Sequence, residues 1–172
     1  MMHRQQLLSR AGRWCPAWAV WQAMWWTQSH FVVAVVGVVW ASPDHVLLLR
    51  HSYRPRYPWG LPTGWVRAGE TPETALLREI REESGLHLPG PLHPLGSALP
   101  RPRHLELGFW IDSGLEAGEA GAAGLAGTPS ADGEVLAAGW YRTGHWPGPL
   151  MAGQEAWIAR ARRARQEAGR LA

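Results

Sequence analysis

Gly64-Trp65-Val66-Arg67-Ala68-Gly69-Glu70 leads, through Thr71-Pro72-Glu73-Thr74-Ala75-Leu76-Leu77, into Arg78-Glu79-Ile80-Arg81-Glu82-Glu83-Ser84-Gly85-Leu86. Thr71-Pro72 predicts a helix start, because threonine caps well and proline fits a first helical position that needs no N–H. Gly85 predicts its stop, since glycine accepts the left-handed conformation that closes a helix. Between these marks Ala75, Leu76 and Ile80, followed by Leu86, form an apolar stripe. The opposite stripe carries Glu79, Glu82 and Glu83 at i, i+3 and i+4, so three carboxylates share one face. Like charges at this spacing destabilise an isolated helix by a few tenths of a kcal/mol per pair. A hard divalent cation would remove that repulsion, since Mg²⁺ takes oxygen ligands and usually a phosphate as well. The plainer alternative is a solvated acidic face with Arg78 and Arg81 as local counter-ions. A helix that needed only solubility has no reason to follow Gly64 and Glu70 in fixed register.

Written as a pattern, the stretch is G-x5-E-x7-R-E-U-x-E-E-x-G-U, with U aliphatic. It resembles the Nudix box at every fixed position of that motif. The resemblance implies metal-dependent hydrolysis of a pyrophosphate bond in a nucleoside diphosphate linked to another group. It assigns Glu79, Glu82 and Glu83 to metal binding with Mg²⁺, or alternatively Mn²⁺, and Glu79 also to orienting or deprotonating the attacking water. Glu70 and Arg78 match the pair that braces the loop against the helix, and Gly64 matches a glycine whose carbonyl reaches a metal. Family members often add a glutamate from a later loop, and Glu134 is the candidate for it. One departure is visible: many members read L-P-G-G where this chain reads Leu61-Pro62-Thr63-Gly64. The implied fold is α/β, an α/β/α sandwich with a mixed β-sheet between the box helix and a C-terminal helix; the extra Trp-rich helix expected at the N-terminus is read from tryptophan spacing and is not explained by the resemblance. The implied substrate is a nucleoside triphosphate, ADP-ribose or another nucleotide sugar, or a dinucleoside polyphosphate. A catalytically silent nucleotide sensor of the same fold is the alternative, against which the intact carboxylate set argues.

At 172 residues the chain is long enough to bury a substantial core. We expect residues 1–30 to form an amphipathic extension and residues 31–172 the catalytic domain. The single Cys15 excludes an intrachain disulfide and fits a reduced, cytoplasmic setting. All seventeen basic residues are arginine, which with twenty glycines reads as compositional bias rather than a nucleic-acid surface; no stable nucleic-acid complex is expected. Residues 64–86 hold five glutamates against three arginines, whereas residues 151–172 hold five arginines against two glutamates. A basic shell around an acidic site would steer a polyphosphate inward, although ordinary surface arginines give the same count.

From Trp14 to Pro43 no residue is charged. Thr27-Gln28-Ser29-His30 interrupts the apolar run too early for the ~20 residues a bilayer span requires. Residues 31–40 are β-branched and predict a buried strand. Trp14, Trp18, Trp21 and Trp25 recur at helical spacing. That face either packs on the protein's own core or a homodimer partner, or lies on a membrane interface through residues 14–26, with Arg4, Arg10 and Arg13 meeting anionic lipid, or the segment is a cleaved signal.

Residues 45–50 predict a second strand after the Ser42-Pro43-Asp44 turn. Arg50, Arg54, Arg56 and Trp59 are candidate substrate contacts, since guanidinium pairs with phosphate and aromatic rings stack on bases. The alternative for 53–60 is a proline-stiffened surface loop. Five prolines within 89–103 predict an irregular connection, 105–111 and 134–141 predict strands, and Gln154 to Gly169 a helix. Glu106 should face either the site or solvent. The Gly/Ala-rich 114–133 reads as a lid or as filler.

Overall fold

The computed structural model describes residues 16–88, 90–114 and 133–171. Trp14, Cys15, the three N-terminal arginines and the glycine-rich 115–132 lie outside them. The chain divides into two compact units at Phe31/Val32.

The first unit contains helix α1, Ala17–Thr27. None of its residues is buried; Trp18, Trp21, Trp25 and Trp26 are 55–78% exposed. Trp25 closes on His30, ring centroids 4.2 Å apart. No described helix is long and apolar enough to cross a membrane.

The second unit is built on β1, Val32–Trp40. It pairs in parallel with β6, His104–Asp112, along its whole length, Val32 opposite His104 through Trp40 opposite Asp112. Successive strand side chains point to opposite faces. Val35, Val39, Phe109 and Ile111 therefore join one core cluster, while Val36, Val38, Trp40 and Trp110 join the other. Burial on both faces explains why β1 reads as a continuous apolar run.

The remaining strands split around β1. It meets β2, His45–His51, only at Trp40↔Val46, after which β2 turns away to pair with β3, Trp59–Gly60, and β7, Val135–Arg142. Into the space beside β1 comes β4, Thr63–Trp65, with Gly64 opposite Val35. The mixed sheet thus parts at the point where the box begins.

Helix α2, Pro72–Ser84, covers the first face with Ala75, Leu76 and Ile80. Thr71 accepts from the Thr74 N–H, and Gly85 closes the helix at φ 73°, donating to Arg81 O. Helix α3, Gln154–Leu171, covers the second face with Trp157, Ile158 and Ala161. Each helix sits over a glycine. A Cβ on Gly37 would stand 2.8 Å from Leu76 Cδ1, and one on Gly108 would stand 2.2 Å from Trp157 Cζ3.

One expectation is corrected. The proline-rich 89–103 is not an irregular connection: His93–Arg101 forms β5, antiparallel to β6. Proline lacks an N–H and is tolerated at a sheet edge. Here β5 is the outer strand, with register shifts between Pro94 and Gly96 and between Ala98 and Arg101.

Candidate active site

Glu79, Glu82 and Glu83 on α2 line one cleft of about 520 Å³ together with Gly64, Tyr53 and Glu134. Long-range pairing brings the last two there. A β-bulge between Arg50 and His51 ends the β2–β7 ladder, and Ser52 N–H and Oγ then both donate to Glu134 O, at 2.8 and 3.2 Å. The loop after β2 and the start of β7 are thus tied together opposite the helix carboxylates.

Arg78 organises the near side. Its Nε and Nη2 donate to the two oxygens of Glu70 at 2.8 and 3.0 Å, and Nη2 also donates to Trp65 O at 3.2 Å. Glu70 in turn accepts from Arg67 N–H at 3.1 Å. Turn, strand β4 and helix are therefore clasped by one guanidinium, the fork geometry that arginine offers and lysine does not. The Arg78 hydrogen bonds hold Glu70 down at about 2, and Glu70 raises Arg78 above its ordinary value. A carboxylate whose folded value lies below its unfolded one contributes stability that is present in full above about 4.5 and lost as pH falls toward 2. Glu70→Gln should accordingly melt below the parent at neutral pH, with the gap closing through that window. Thermal melts at stepped pH check this, and a pH-independent gap would refute the assignment.

Arg78 Nη1 also donates to Glu79 Oε1 at 2.6 Å and Glu82 Oε2 at 3.2 Å. Glu79 leans on Gly64, where an added Cβ would stand 2.0 Å from its Cγ and 2.2 Å from its Oε1. Glu83 is half-buried, with its Oε2 turned inward. Desolvation, reinforced by Glu79, pushes its carboxyl up to about 8 despite a backbone hydrogen bond from Thr63 and the nearby Arg54 charge. Its Oε2 has no hydrogen-bond partner among the described residues. Buried polar atoms are seldom left so.

These residues suit a divalent cation. The donors are hard oxygens, one buried carboxylate oxygen awaits a partner, and Gly64 leaves its side-chain space to Glu79. As placed, no three acidic or imidazole groups of the described residues converge as a ligand cluster. The carboxylates share a cleft, with Glu79 and Glu82 drawn to Arg78.

The basic and aromatic candidates scatter. Arg54 does not line the cleft; half-buried over the Tyr53 ring, 4.9 Å from its centroid, it leaves Nη1 unpartnered among the described residues, and its charge is felt by Glu83. Arg50 and Arg56 are exposed and do not line the cleft. Trp59 does not line it either: its ring packs edge-on against Tyr141, centroids 5.0 Å apart, in the cluster under α3. Glu106 faces neither cleft nor open solvent; it accepts from the Trp157 indole at 3.2 Å. Of the 53–60 loop aromatics it is Tyr53 that lines the cleft, joined by Arg67, which no substrate reading included. His51 is 2% exposed with both ring nitrogens unpartnered among the described residues, and burial with the Arg54 charge lowers it to about 4.

The profile of the NUDIX domain matches residues 30–159. Human 8-oxo-dGDP phosphatase NUDT18 is 35% identical over 120 residues, 69% of this chain and 34% of its own length. The NAD-capped RNA hydrolase NudC of Yersinia pestis (strain Pestoides F) is 35% identical over 107 residues, covering 60% of this chain and 36% of that protein. The chain thus spans about a third of the length of these relatives. Among solved structures, the NUDIX domain of Shewanella oneidensis NrtR, crystallised with ADP ribose, superposes with a TM-score of 0.63 at 18% identity, covering 85% of this chain and 97% of that one; this likeness establishes the fold. With the box, the sheet between two helices and a profile match over most of its length, the chain belongs to the Nudix family.

Proposed function

We propose that this chain hydrolyses a pyrophosphate bond in a nucleoside diphosphate linked to another group. The observation that carries the reading is the meeting of Glu79, Glu82, Glu83 and Glu134 with Gly64 in one cleft. Glu79, Glu82 and Glu83 would hold the divalent metal, Mg²⁺ or Mn²⁺, with the Gly64 carbonyl and Glu134 beside them. A bound metal supplies charge neutralisation at the phosphate oxygens and a more acidic water. The chain's own residues do the rest. Arg78 and Glu70 fix the helix face against β4, Glu79 orients the attacking water and takes its proton, and Glu134 closes the far wall. Tyr53 and Arg67 flank the cleft where a substrate would lie. Arg54 stands close enough to Glu83 to offset part of its charge.

The test is product release from nucleoside di- and triphosphates, ADP-ribose, an NAD-type dinucleotide and a dinucleoside polyphosphate, each with Mg²⁺ and with Mn²⁺. Glu82→Gln serves as the blank. Turnover of one compound that vanishes in the blank supports the reading and names the substrate. Silence across the panel from folded protein would favour a nucleotide sensor.

The exposed tryptophans of α1 favour a second, compatible role in membrane contact, because indole rings prefer the headgroup region. The full chain should co-sediment with anionic liposomes, and a chain beginning at Ser29 should not. If both remain in the supernatant, that role is excluded.

A further inference from the structure

The segment between β3 and β4 is tied to both α2 and α3, although these helices cover opposite faces of the sheet. Gln154, the first residue of α3, is 2% exposed. Its Oε1 accepts the Leu61 N–H at 2.6 Å in the interior. Gly60 makes room for the amide: an added Cβ there would stand 3.0 Å from Oε1 and 3.4 Å from Nε2. The backbone pins the same end of α3, since Met151 N–H donates to Trp59 O at 2.9 Å. Gln154 thus reaches Leu61 from a fixed base.

The next link is local. Thr63 Oγ1 donates to Leu61 O at 2.9 Å, closing a bond from side chain to backbone across Pro62. Such bonds favour one backbone path over its competitors. Pro62 has its φ fixed by its ring, and its carbonyl accepts the Gly37 N–H of β1 at 3.0 Å. Glycine, the residue at this position in the L-P-G-G form of the stretch, supplies no hydroxyl and adds backbone freedom. The last link crosses to α2, where Thr63 N–H donates to the Glu83 carboxylate. Because Oε2 has no partner among the described residues, that bond falls on Oε1. A strap from Leu61 to Thr63 therefore joins Gln154 to one oxygen of Glu83 and leaves the other available.

We propose that Thr63 and Gln154 are positioning residues for Glu83, holding its carboxylate where a divalent cation binds. The proposal rests on the reading of Glu83 as a metal ligand. Neither residue needs to touch the ion; Gln154 acts through Leu61, and Thr63 through its own N–H. Hard cations take oxygen ligands at short, set distances. A carboxylate free to swing must be ordered when the ion arrives, which weakens binding, whereas one already held loses less. The hydroxyl at position 63 is thus a working part of this chain's site.

Calorimetric titration of the metal-free protein with Mn²⁺ alone tests this without substrate or turnover. Thr63→Val keeps the branched shape and removes the donor, and Thr63→Ser restores the donor. Thr63→Val is expected to bind Mn²⁺ about fivefold more weakly than the parent, the equivalent of one hydrogen bond. Thr63→Ser should bind within about twofold of the parent. Gln154→Met keeps the length of the arm, loses the acceptor and should weaken binding in the same sense. It also strands the buried Leu61 N–H, so the pair of variants at the half-buried Thr63 decides the outcome. A role in folding alone would lower the melting temperature of Thr63→Val and leave its Mn²⁺ affinity unchanged; that result overturns the proposal. So does Thr63→Ser binding as weakly as Thr63→Val, which would make shape and not the bond responsible. A parent that binds no Mn²⁺ at millimolar concentration overturns the metal reading of Glu83 and this proposal together. Equal, measurable binding by the parent and Thr63→Val overturns the positioning role alone.

Discussion

Replacing Gly64 by alanine is expected to cut kcat by about 10²-fold or more while leaving the fold in place. The backbone at Gly64 needs no positive φ, so alanine can adopt it without strain. The obstacle is one side chain: the new Cβ would stand 2.0 Å from Glu79 Cγ and 2.1 Å from Cδ. Glu79 can swing aside, because its arm is flexible and the cleft is open behind it. Stability should therefore change little, and the carboxylate should leave its working position. Displacements near 1 Å at a reacting centre cost about 10²-fold in favourable geometries. Combining Gly64→Ala with Glu79→Gln should add little further loss, because both changes remove the same group. Full turnover from Gly64→Ala would show that Glu79 need not stand against β4.

Glu83→Gln should have two large effects of opposite sign. A half-buried carboxylate with one inward oxygen unpartnered among the described residues, and with Glu79 nearby, is costly to the folded chain. The isosteric amide removes that cost, so the metal-free variant should melt above the parent at neutral pH. The same change should lower metal-dependent kcat by about 10²–10³-fold, the several kcal/mol that metal-assisted charge stabilisation supplies. The parent should also gain thermal stability when Mg²⁺ is added, and the variant should gain much less. A variant no more stable than the parent without metal, or one that turns over normally, would place Glu83 outside the metal set.

How far the sequence could be read depended on whether each signal was local. Thr71, Pro72 and Gly85 act within one helical turn, and the helix between them begins and ends where they indicate. The alternation that sends Val35 to α2 and Val36 to α3 is equally local, since it follows from strand geometry alone. The spacing of Glu79, Glu82 and Glu83 put them on one face for the same reason. What could not be read depends on distant partners. Pro94 and Pro100 forbid an interior strand, yet β6 supplies a neighbour on one side only, so β5 survives as an edge. Trp59 sits among arginines in sequence, and only the pairing of β2 with β3 reveals that its ring is taken by Tyr141. Tyr53 and Glu134 meet because Ser52 bonds to a residue 82 positions later, which no window of sequence displays. Tryptophan at helical spacing in α1 read as one face, whereas Trp26 lies off that face and is the most exposed of the four.

The two prolines of β5 have a consequence for the company this protein keeps. An exposed strand edge offers its N–H and C=O groups as a template on which another chain can add a strand. At Pro94 and Pro100 that row lacks two donors, and the irregular register on either side twists what remains out of line. Strand-by-strand growth from this border, whether into fibrils or into a continuous sheet between copies, is thereby discouraged at the level of the backbone.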